Sequence, residues 1–382
     1  MLEPYRRQLD RVADLDILVG YSPNGARRSA PQGGDSPLGN LVGTSIWLRL
    51  GVQTDFSLTN STGIRTDLLP GPITIEQMYN IFPFDNSISK MQLSGTEVQE
   101  LFDFVARRSA NRGCTSQVQI AGAKVRLDCT GCQRPGSRPP CNSDEDCPSR
   151  EPGSCNLDSK TCTLNACAEQ VYIGHTEAAC KTDADCPDDS GQPLPSGCDK
   201  VAGRCRSLIR PTNLYELATS NYLAGGGSGF RVLQRNTTQF DTKIQQRDAL
   251  VDYMRQGKPC GYKADAGTAE GLKACATDGD CASEGDFVCA CPSSASSTGD
   301  GAALACVSKE ACDPGVGRCV LRACRTDVAK FNARRCVDSP DRPTCMEKLN
   351  PCVVGGESCK ILACVDDKAG AATDARVEMI GR

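Results

Sequence analysis

The chain has 382 residues, with 43 Lys and Arg, 47 Asp and Glu, and a formal net charge of −4. This length allows two domains or one large domain with insertions. The mild acidity argues against a nucleic-acid or anionic-membrane surface as the main partner, because binding to phosphate backbones requires clustered Lys and Arg. No segment approaches the ~20 apolar residues of a membrane span, so no spanning helix is predicted.

Two blocks of ordinary globular patterning predict alternating strands and helices. The first block runs from about Leu15 to Asp128. We expect a buried strand at 16–20, then a helix whose apolar positions are Leu38, Leu41, Val42, Ile46 and Leu50, and then a strand at 55–59. A short helix opened by Thr74, a strand at 90–93, a further helix, and strands near 118–120 and 125–127 are expected to follow. Gly51 is the expected stop of the first helix. The helix after 90–93 is expected to be capped by Thr96, with Gln99 at the capping-box position.

The second block runs from Ser207 to Gln256. It predicts a strand at 215–219, a glycine-rich loop at 223–230, and a helix at 247–254 in which Leu250, Val251 and Met254 share one face. Glycines in such a loop allow the backbone to approach a ligand closely, or they serve a tight turn.

Cysteine is the most informative part of the composition. The 26 cysteines are absent before Cys114 and between Cys205 and Cys260. An oxidising compartment explains so many thiols better than a reducing cytosol does, so an extracytoplasmic location is predicted. Zinc modules use repeated C-x2-C pairs with histidine, whereas this chain has a single histidine and one such pair, Cys129–Cys132. The pattern favours disulfides, whose connectivity is open.

A short unit repeats in the cysteine-rich segments. The pattern C-x2-D-x-D-C begins at Cys141, Cys180 and Cys275. Its carboxylates could suggest calcium, but calcium requires six or more oxygens and the spacing of an EF-hand loop is absent. Asp also favours turns because its side chain bonds the nearby backbone. We therefore favour turns over calcium sites.

Composition divides the chain into four segments. We expect a helical lead-in or linker at 1–14, a globular domain at 15–256 with cysteine-rich insertions at about 129–167 and 178–206, a cysteine-rich tail at 257–366, and a flexible C-terminus at 367–382. The N-terminus carries no apolar signal segment, which together with the cysteine content suggests a fragment of a longer precursor or a misassigned start.

Catalytic signatures are scarce. One histidine excludes a histidine-cluster metal site, and neither a G-x-S-x-G elbow nor a phosphate-binding P-loop is present. Two segments stand out instead, 59–65 and the glycine loop 225–229, because backbone N–H groups, an amide and a guanidinium could converge there on a ligand. The sequence supports binding better than catalysis.

Five motifs in this order resemble the C-terminal domain of the 5'-nucleotidase family. They are Ser36-Pro-Leu-Gly-Asn-Leu41, Thr59-Asn-Ser-Thr-Gly-Ile-Arg65, Phe82-Pro-Phe-Asp-Asn86, Leu93-Ser-Gly95 and Ala218-Thr-Ser-Asn-Tyr-Leu-Ala-Gly-Gly-Gly-Ser-Gly-Phe230. The resemblance implies a layered α/β fold, helix–sheet–sheet–helix. It also implies two domains with different roles. This domain binds a nucleoside or nucleotide, and a separate N-terminal metallophosphoesterase domain, absent from this chain, binds two divalent metals.

The resemblance also implies roles for particular residues. Phe84 and Tyr222 match two rings that sandwich the base, and Asn86 matches an amide that contacts the base. Asn60 and Arg65 match residues on the phosphate or ribose side. An upstream arginine of the family matches Arg28 or Arg27. Without that context, Phe84 could be a core aromatic and Arg65 a partner of Asp67.

The sequence departs from the family pattern at two of these motifs and at the metal site. Ser228 stands where the family loop has an Asp that accepts bonds from ribose hydroxyls, and Ser61-Thr62 replace glycines. The Asp-x-His and Gly-Asn-His metal motifs are absent, so no cofactor is expected in this chain and it should not hydrolyse phosphate esters alone. A non-catalytic nucleotide-binding module, or a cysteine-rich surface protein on a nucleotidase scaffold, are the alternatives.

Overall fold

The structure is a computed structural model that describes part of the chain. The described residues are 15, 18–22, 24–132, 140–147, 154–162, 166–255, 274–284, 287–292, 304–306, 317–321 and 373–381. The chain divides into two compact units, which we describe separately. The main unit comprises 27–67, 80–250 and 370–382, and the second unit comprises 1–26, 68–79 and 251–369.

The described residues form six α-helices, five short 3-10 helices and eighteen strands. The helices are α1 (Pro37–Trp47), α2 (Ile75–Ile81), α3 (Gly95–Ala110), α4 (Asn221–Ala224), α5 (Arg231–Gln234) and α6 (Gln246–Arg255). The strands are β1 (Leu18–Ser22), β2 (Phe56–Asn60), β3 (Gly71–Thr74), β4 (Ser87–Ser94), β5 (Val118–Ala121), β6 (Ala123–Asp128), β7 (Cys155–Asn156), β8 (Thr161–Cys162), β9 (Cys167–Ala179), β10 (Cys198–Asp199), β11 (Arg204–Leu208), β12 (Leu214–Ser220), β13 (Phe240–Gln245), β14 (Ala274–Cys275), β15 (Phe287–Pro292), β16 (Leu304–Cys306), β17 (Gly317–Leu321) and β18 (Val377–Ile380). None of these helices has the length and apolar character required to cross a lipid bilayer.

Two five-stranded sheets organise the main unit. Their strand orders are β13-β4-β12-β2-β5 and β10-β11-β9-β6-β18. Helix α1 packs on β2 and β5, and helix α3 contacts strands of both sheets. The apolar face of α3, including Leu101, Phe102 and Val105, is fully buried in the core that the two sheets share. The predicted layered α/β fold with disulfide-rich insertions is confirmed.

The second unit contains smaller sheets. Strands β1 and β3 form an antiparallel pair. Strands β14, β17, β15 and β16 form a four-stranded sheet in that order. The predicted lead-in at 1–14, and most of the predicted cysteine-rich tail, lie outside the described residues.

The N-terminal cap of α3 differs from the expected one. Ser94, not Thr96, is the cap: the Glu97 N–H donates to the Ser94 Oγ at 3.3 Å, and the Ser94 N–H donates to the Glu97 Oε2 at 2.8 Å. The capping box is therefore S-x-x-E at 94–97 rather than T-x-x-Q at 96–99. Extended backbone at Ser94 continues β4 directly into the cap, whereas Thr96 already lies in the first helical turn.

Helix α1 ends earlier than its apolar spacing suggests. It stops at Trp47, and Leu50 is 68% exposed. The Arg49 N–H donates to the Ile46 carbonyl, an i to i−3 bond that tightens the last turn and turns the chain away. Gly51 then adopts a positive φ of 84°, as the predicted stop requires.

Residues 373–381 of the predicted flexible C-terminus (367–382) are described, and they include a β-strand; the prediction does not hold for this part. Strand β18 pairs parallel to β6, from Val377 with Val125 to Ile380 with Asp128. The Arg376 guanidinium donates to the Asn40 carbonyl, the Thr44 hydroxyl and the Ile120 carbonyl. A sheet edge and buried acceptors thus order a segment that local composition marks as frayed.

Eight disulfide bonds lie among the described residues. They join Cys114–Cys129, Cys132–Cys167, Cys141–Cys155, Cys147–Cys162, Cys180–Cys198, Cys186–Cys205, Cys275–Cys289 and Cys281–Cys319. In each repeat, here called a disulfide module (140–162, 180–205 and 275–319), the two cysteines of the C-x2-D-x-D-C unit bond two later cysteines. Four buried cysteines form the core of the first module, and another four form that of the second.

The repeated aspartates support their own turns. In the first module, the Cys155 N–H donates to Asp144 at 2.7 Å. The Asn142 and Ser143 N–H groups donate to Asp146 and hold its pKa below its usual range. The second module repeats both arrangements at Asp183 and Asp185, and the third repeats them at Asp278 and Asp280. This geometry favours turns over calcium sites.

Cysteine groupings with the spacing of a metal site occur in all three modules and around Glu169. Every cysteine in them is disulfide-bonded. A zinc ligand must be a thiolate, so these groupings do not fit a metal.

The second cysteine-rich insertion contributes strands to the five-stranded sheet β10-β11-β9-β6-β18. Strand β9 is thirteen residues long, and β11 pairs with its second half, from Leu208 with Tyr172 to Arg204 with Ala179. Both ends of the insertion predicted at about 178–206 therefore lie in paired strands. The second module is therefore attached through β10 and β11 to a sheet of the domain.

Candidate functional site

An exposed aromatic ring meets a guanidinium in the loop after α2. Phe84 is 53% exposed, so it is a surface ring and not a core aromatic. The Arg65 Cζ lies 5.3 Å from the centroid of the Phe84 ring. The Arg65 N–H donates to the Ile81 carbonyl at 3.0 Å, which ties the segment after β2 to the end of α2. Because a ring face attracts a cation, this contact orients both side chains.

A buried arginine fixes the Phe84 loop from behind. Arg247, at the start of α6, is 8% exposed. Its Nη1 donates to the Phe82 carbonyl at 2.9 Å and its Nη2 donates to Asp85 at 2.7 Å. The Gln246 N–H donates to the Asn86 carbonyl at 2.9 Å. Both flanks of Phe84 are therefore held, so its exposed ring is presented in a defined place.

The turn after β2 holds Asn60. Its Nδ2 donates to the Thr62 hydroxyl at 3.1 Å, within the turn. A Cβ at Gly63 would lie 2.6 Å from the Asn60 Oδ1, so a larger residue there would displace the Asn60 side chain. The bulkier Ser61 and Thr62 are thus accommodated while the one close approach remains a glycine.

Arg28 lies against the same turn. Its Nη1 donates to the Ile64 carbonyl at 3.3 Å, directly before Arg65. The Asp67 carboxylate accepts the Arg28 N–H at 2.8 Å. Of the two upstream candidates, Arg28 is thus the one whose side chain contacts the Asn60–Arg65 turn. Asp67 contacts Arg28 and not the Arg65 side chain.

The second exposed ring is locked to the glycine loop. Tyr222 is 49% exposed, and its hydroxyl accepts the Ser228 N–H at 3.1 Å. The Ser228 Oγ lies 3.5 Å from the same hydroxyl. A Cβ at Gly227 would lie 2.5 Å from the Tyr222 Cζ, so the ring packs against bare backbone. The Arg108 Nη1, from α3, donates to the Ser228 carbonyl at 2.7 Å.

The charges around Tyr222 are cationic. Bonds from Ser228, followed by the positive charges of Arg108 and Arg65, hold the Tyr222 pKa below its usual range. Burial and then the charge of Arg112 lower the pKa of Arg108. The Arg65 guanidinium lies over Phe84, and its charge acts on Tyr222. We call the surface formed by Phe84, Arg65, Tyr222, Ser228 and Arg108 the two-ring site.

The segment that carries most of this geometry matches a known family. Residues 16–138 match the family model of the C-terminal domain of 5'-nucleotidase. The match identifies this segment, and not the whole chain, with the C-terminal domain of 5'-nucleotidases. The matched segment includes Arg28, Asn60, Arg65, Phe84 and Asn86, and the glycine loop with Tyr222 and Ser228 follows it in sequence.

Relatives of this segment include proteins named for different activities. The chain is 37% identical over 101 residues to Endonuclease YhcR of Bacillus subtilis, covering 26% of this chain and 7% of that protein. It is 32% identical over 91 residues to a 5'-nucleotidase of Vibrio parahaemolyticus, covering 24% of this chain and 16% of the relative. The chain therefore spans a small part of the length of these relatives.

Solved structures with a similar arrangement include the 5'-nucleotidase precursor from Thermus thermophilus. The TM-score is 0.46 at 20% identity, over 66% of this chain and 39% of that one. The NAD nucleotidase of Haemophilus influenzae gives a TM-score of 0.42 at 16% identity, over 67% of this chain and 38% of the other.

The domain brings most of the predicted residues together, although their roles stay predictions. Arg65 meets Phe84, Arg28 contacts the turn that precedes Arg65, and Tyr222 contacts Ser228. Asn86 is half-buried in the loop that carries Phe84. Asn60 bonds within its own turn.

Sequence reasoning missed two arginines at this site. Arg247 holds the Phe84 loop, and Arg108 holds the glycine loop. Both lie on amphipathic helices, where an arginine is normally a surface residue. Their partners are backbone carbonyls more than 100 residues away in sequence, which no local pattern marks.

Tyr222 provides a test of this electrostatic arrangement. We expect its phenol in the wild type to ionise below the usual tyrosine range, and Arg108→Gln to raise its pKa, because removing a guanidinium destabilises the phenolate. The measurement is phenolate absorbance against pH, with Tyr222→Phe subtracted. Arg204→Gln, in the second module, is the control and should leave the titration unchanged. Superimposable curves for wild type and Arg108→Gln would contradict the assignment.

Proposed function

We propose that this domain recognises the nucleoside part of a nucleotide for a 5'-nucleotidase-type phosphoric ester hydrolase that acts in nucleotide catabolism. The observation that carries the proposal is the two-ring site, in which Phe84 and Tyr222 are each about half exposed, Arg65 lies over Phe84, and the Arg65 charge acts on Tyr222. Two half-exposed rings with a guanidinium over one of them offer a base a stacking surface and a phosphate a charged donor.

Each part of the site has a function in this proposal. Stacking of a base on an aromatic ring contributes ~1–3 kcal/mol per base and tolerates different bases. Asn86 would contact the base edge, and Asn60, Arg28 and Arg65 would lie on the phosphate or ribose side. A guanidinium offers paired donors that match phosphate oxygens. This chain therefore binds and orients the substrate, which lowers the entropic part of the reaction barrier.

Hydrolysis itself is proposed to require a separate metallophosphoesterase domain with two divalent metals. Bound metals supply an activated water and neutralise charge on the phosphoryl group. Among the described residues, the metal-like clusters consist of disulfide cysteines that cannot serve as ligands. We therefore expect the isolated chain to bind nucleotides without releasing phosphate.

An extracytoplasmic location is part of the proposal, whether secreted, periplasmic or at the cell surface. The support is the set of eight disulfide bonds among the described residues, because such bonds persist in oxidising compartments. Nucleotides that reach that compartment would be its substrates.

One observation favours a second function, a surface interaction protein on a nucleotidase scaffold. The hairpin tips of the first two disulfide modules expose apolar side chains, with Leu157 at 68% and Val201 at 100% exposure. Such tips could contact a partner protein. In that case a chain that fails to bind nucleosides would still retain the partner.

Arg65 gives a direct test of the proposed recognition. We expect Arg65→Gln to weaken AMP binding by about 10- to 150-fold, because a charge-assisted hydrogen bond contributes about 1.5–3 kcal/mol. Adenosine binding should fall far less, since adenosine has no phosphate. Calorimetric titration of both ligands measures the difference, with Arg204→Gln as the control. Equal losses for AMP and adenosine would contradict a phosphate-side role for Arg65.

A further inference from the structure

The edge of Tyr222 is lined by groups that suit a second anion. The Ser228 hydroxyl lies 3.5 Å from the Tyr222 hydroxyl, and the Arg108 guanidinium donates to the Ser228 carbonyl at 2.7 Å. Ser228 is half-buried and Arg108 is half-buried, so both are sheltered but reachable. This edge is formed by the glycine loop and α3, whereas Arg65 and Arg28 belong to the turn after β2.

Among the residues that the structure describes, no carboxylate forms an ion pair with the arginines at this edge. Besides the bonds from Ser228, the charges of Arg108 and Arg65 lower the pKa of Tyr222. The pKa of Arg108 is influenced by burial and by the charges of Arg112 and Tyr222. Within the described part of the chain, the ion pairs are made by other cations. They are Lys90, Arg126, His175, Arg204, Arg206, Arg235, Lys243, Arg247 and Arg376.

This charge pattern contrasts with the whole chain, whose formal net charge is −4. Unpaired guanidiniums beside an exposed ring raise the local concentration of anions and favour their binding. Arg108 uses one of its five N–H donors on the Ser228 carbonyl, which orients the guanidinium and leaves further donors for a ligand.

We propose that Arg108, Ser228 and Tyr222 bind a phosphate carried on the ribose 2' or 3' oxygen, so that the preferred ligands are nucleoside bisphosphates with this phosphate in addition to the 5' phosphate. The inference rests on the proposed function: a base stacked on the Tyr222 ring would carry its ribose past the ring edge, where Ser228 contacts the Tyr222 hydroxyl. The neutral Ser228 hydroxyl donates to a phosphate oxygen, whereas a carboxylate at that position would repel it.

The backbone geometry fits this role. Ser228 adopts a positive φ of 57° between Gly226 at 88° and Gly229 at 85°. A non-glycine residue in this region is uncommon and is held here by bonds on both sides, to the Tyr222 hydroxyl and from Arg108. The loop is therefore fixed before a ligand arrives, which reduces the entropic cost of binding.

The test is calorimetric titration of the oxidised full chain with adenosine, AMP and adenosine 3',5'-bisphosphate. We expect the bisphosphate to bind about tenfold or more tightly than AMP, because each charge-assisted pair contributes on the order of 1.5 kcal/mol or more. Arg108→Gln should bring the ratio of bisphosphate to AMP affinity close to one. Ser228→Asp should lower the ratio below one, and the control Arg204→Gln should leave it unchanged.

The outcomes separate the two proposals. If adenosine and AMP bind but the bisphosphate binds no more tightly, the second anion site is wrong and the proposed function stands. If no nucleoside binds to a folded wild-type chain, both are wrong. If Arg108→Gln fails to fold, Ser228→Asp still tests the second anion site. Ser228 lies in the loop that faces the proposed ligand, so we expect this variant to fold. A high ratio that survives Ser228→Asp would overturn the inference.

Discussion

Replacing Cys147 and Cys162 with alanine is expected to unfold the first disulfide module while the two five-stranded sheets of the main unit stay folded. The four cysteines of this module form a buried cluster, and the strands among its described residues, 140–147 and 154–162, are the two-residue β7 and β8. Such a segment cannot bury enough apolar surface alone, so its cross-links substitute for a core. Loss of one native disulfide typically costs about 2–5 kcal/mol, more than a module of this size can lose.

Limited proteolysis with mass mapping measures this effect. We expect cleavage within 140–162 in the variant and resistance there in the wild type. The corresponding disulfide of the second module joins Cys186 and Cys205. Replacing both cysteines with alanine should also loosen β11 from β9, since those strands pair in the sheet β10-β11-β9-β6-β18. Nucleoside affinity should be kept in the first variant. Equal protease resistance of wild type and both variants would contradict the modular account.

Replacing Arg376 with alanine is expected to lower the free energy of unfolding of the main unit by about 3 kcal/mol, because hydrogen bonds from a charged group contribute about 1.5–3 kcal/mol each and are not additive. The side chain is 15% exposed and donates to three acceptors on α1 and β5, the Asn40 carbonyl, the Thr44 hydroxyl and the Ile120 carbonyl. Its loss leaves those acceptors without this donor and weakens the anchor of β18.

Guanidinium chloride unfolding checks this prediction. Arg376→Lys should cause an intermediate loss, because an ammonium keeps the charge but lacks the planar fork that reaches several acceptors. Arg204→Gln, on the exposed face of the second module, should stay within about 0.5 kcal/mol of the wild type. A similarly small change for Arg376→Ala would show that the C-terminal strand is not anchored as the structure indicates.

Local chemistry explains which elements the sequence could predict. The strands at 55–59 and 215–219 and the helix at 247–254 follow their periodicity, and β2, β12 and α6 occupy those places. The repeated C-x2-D-x-D-C unit predicted turns, and each aspartate bonds backbone N–H groups within its module. These features depend on neighbours a few residues away or on one dominant period.

Long-range pairing explains what could not be predicted. Strand β18 is a four-residue segment whose partner β6 lies some 250 residues earlier, so its order depends on the finished sheet. The disulfide pairing had several solutions, since four cysteines allow three connectivities. The cap of α3 was misplaced by two residues because Thr96-x-x-Gln99 and Ser94-x-x-Glu97 both fit the motif, and the end of β4 decides between them.

The binding site shows the same division. The exposed Phe84 and its contact with Arg65 lie at positions that the motifs indicated, as does the contact of Tyr222 with Ser228. Arg247 and Arg108, which hold the two loops, carry no motif of their own. A motif thus marks side chains that face a ligand, whereas their supports are set by tertiary contacts.

The central claim is that two exposed rings hold a nucleoside. Calorimetric titration of the oxidised chain with adenosine and AMP, beside the Phe84→Ala, Tyr222→Ala double variant, tests it most directly. We predict saturable binding to the wild type and a loss of about 30-fold or more in the folded double variant, because each stacked ring contributes ~1–3 kcal/mol. A well-folded wild-type chain that binds neither ligand, or a double variant that binds as tightly as the wild type, would contradict the claim.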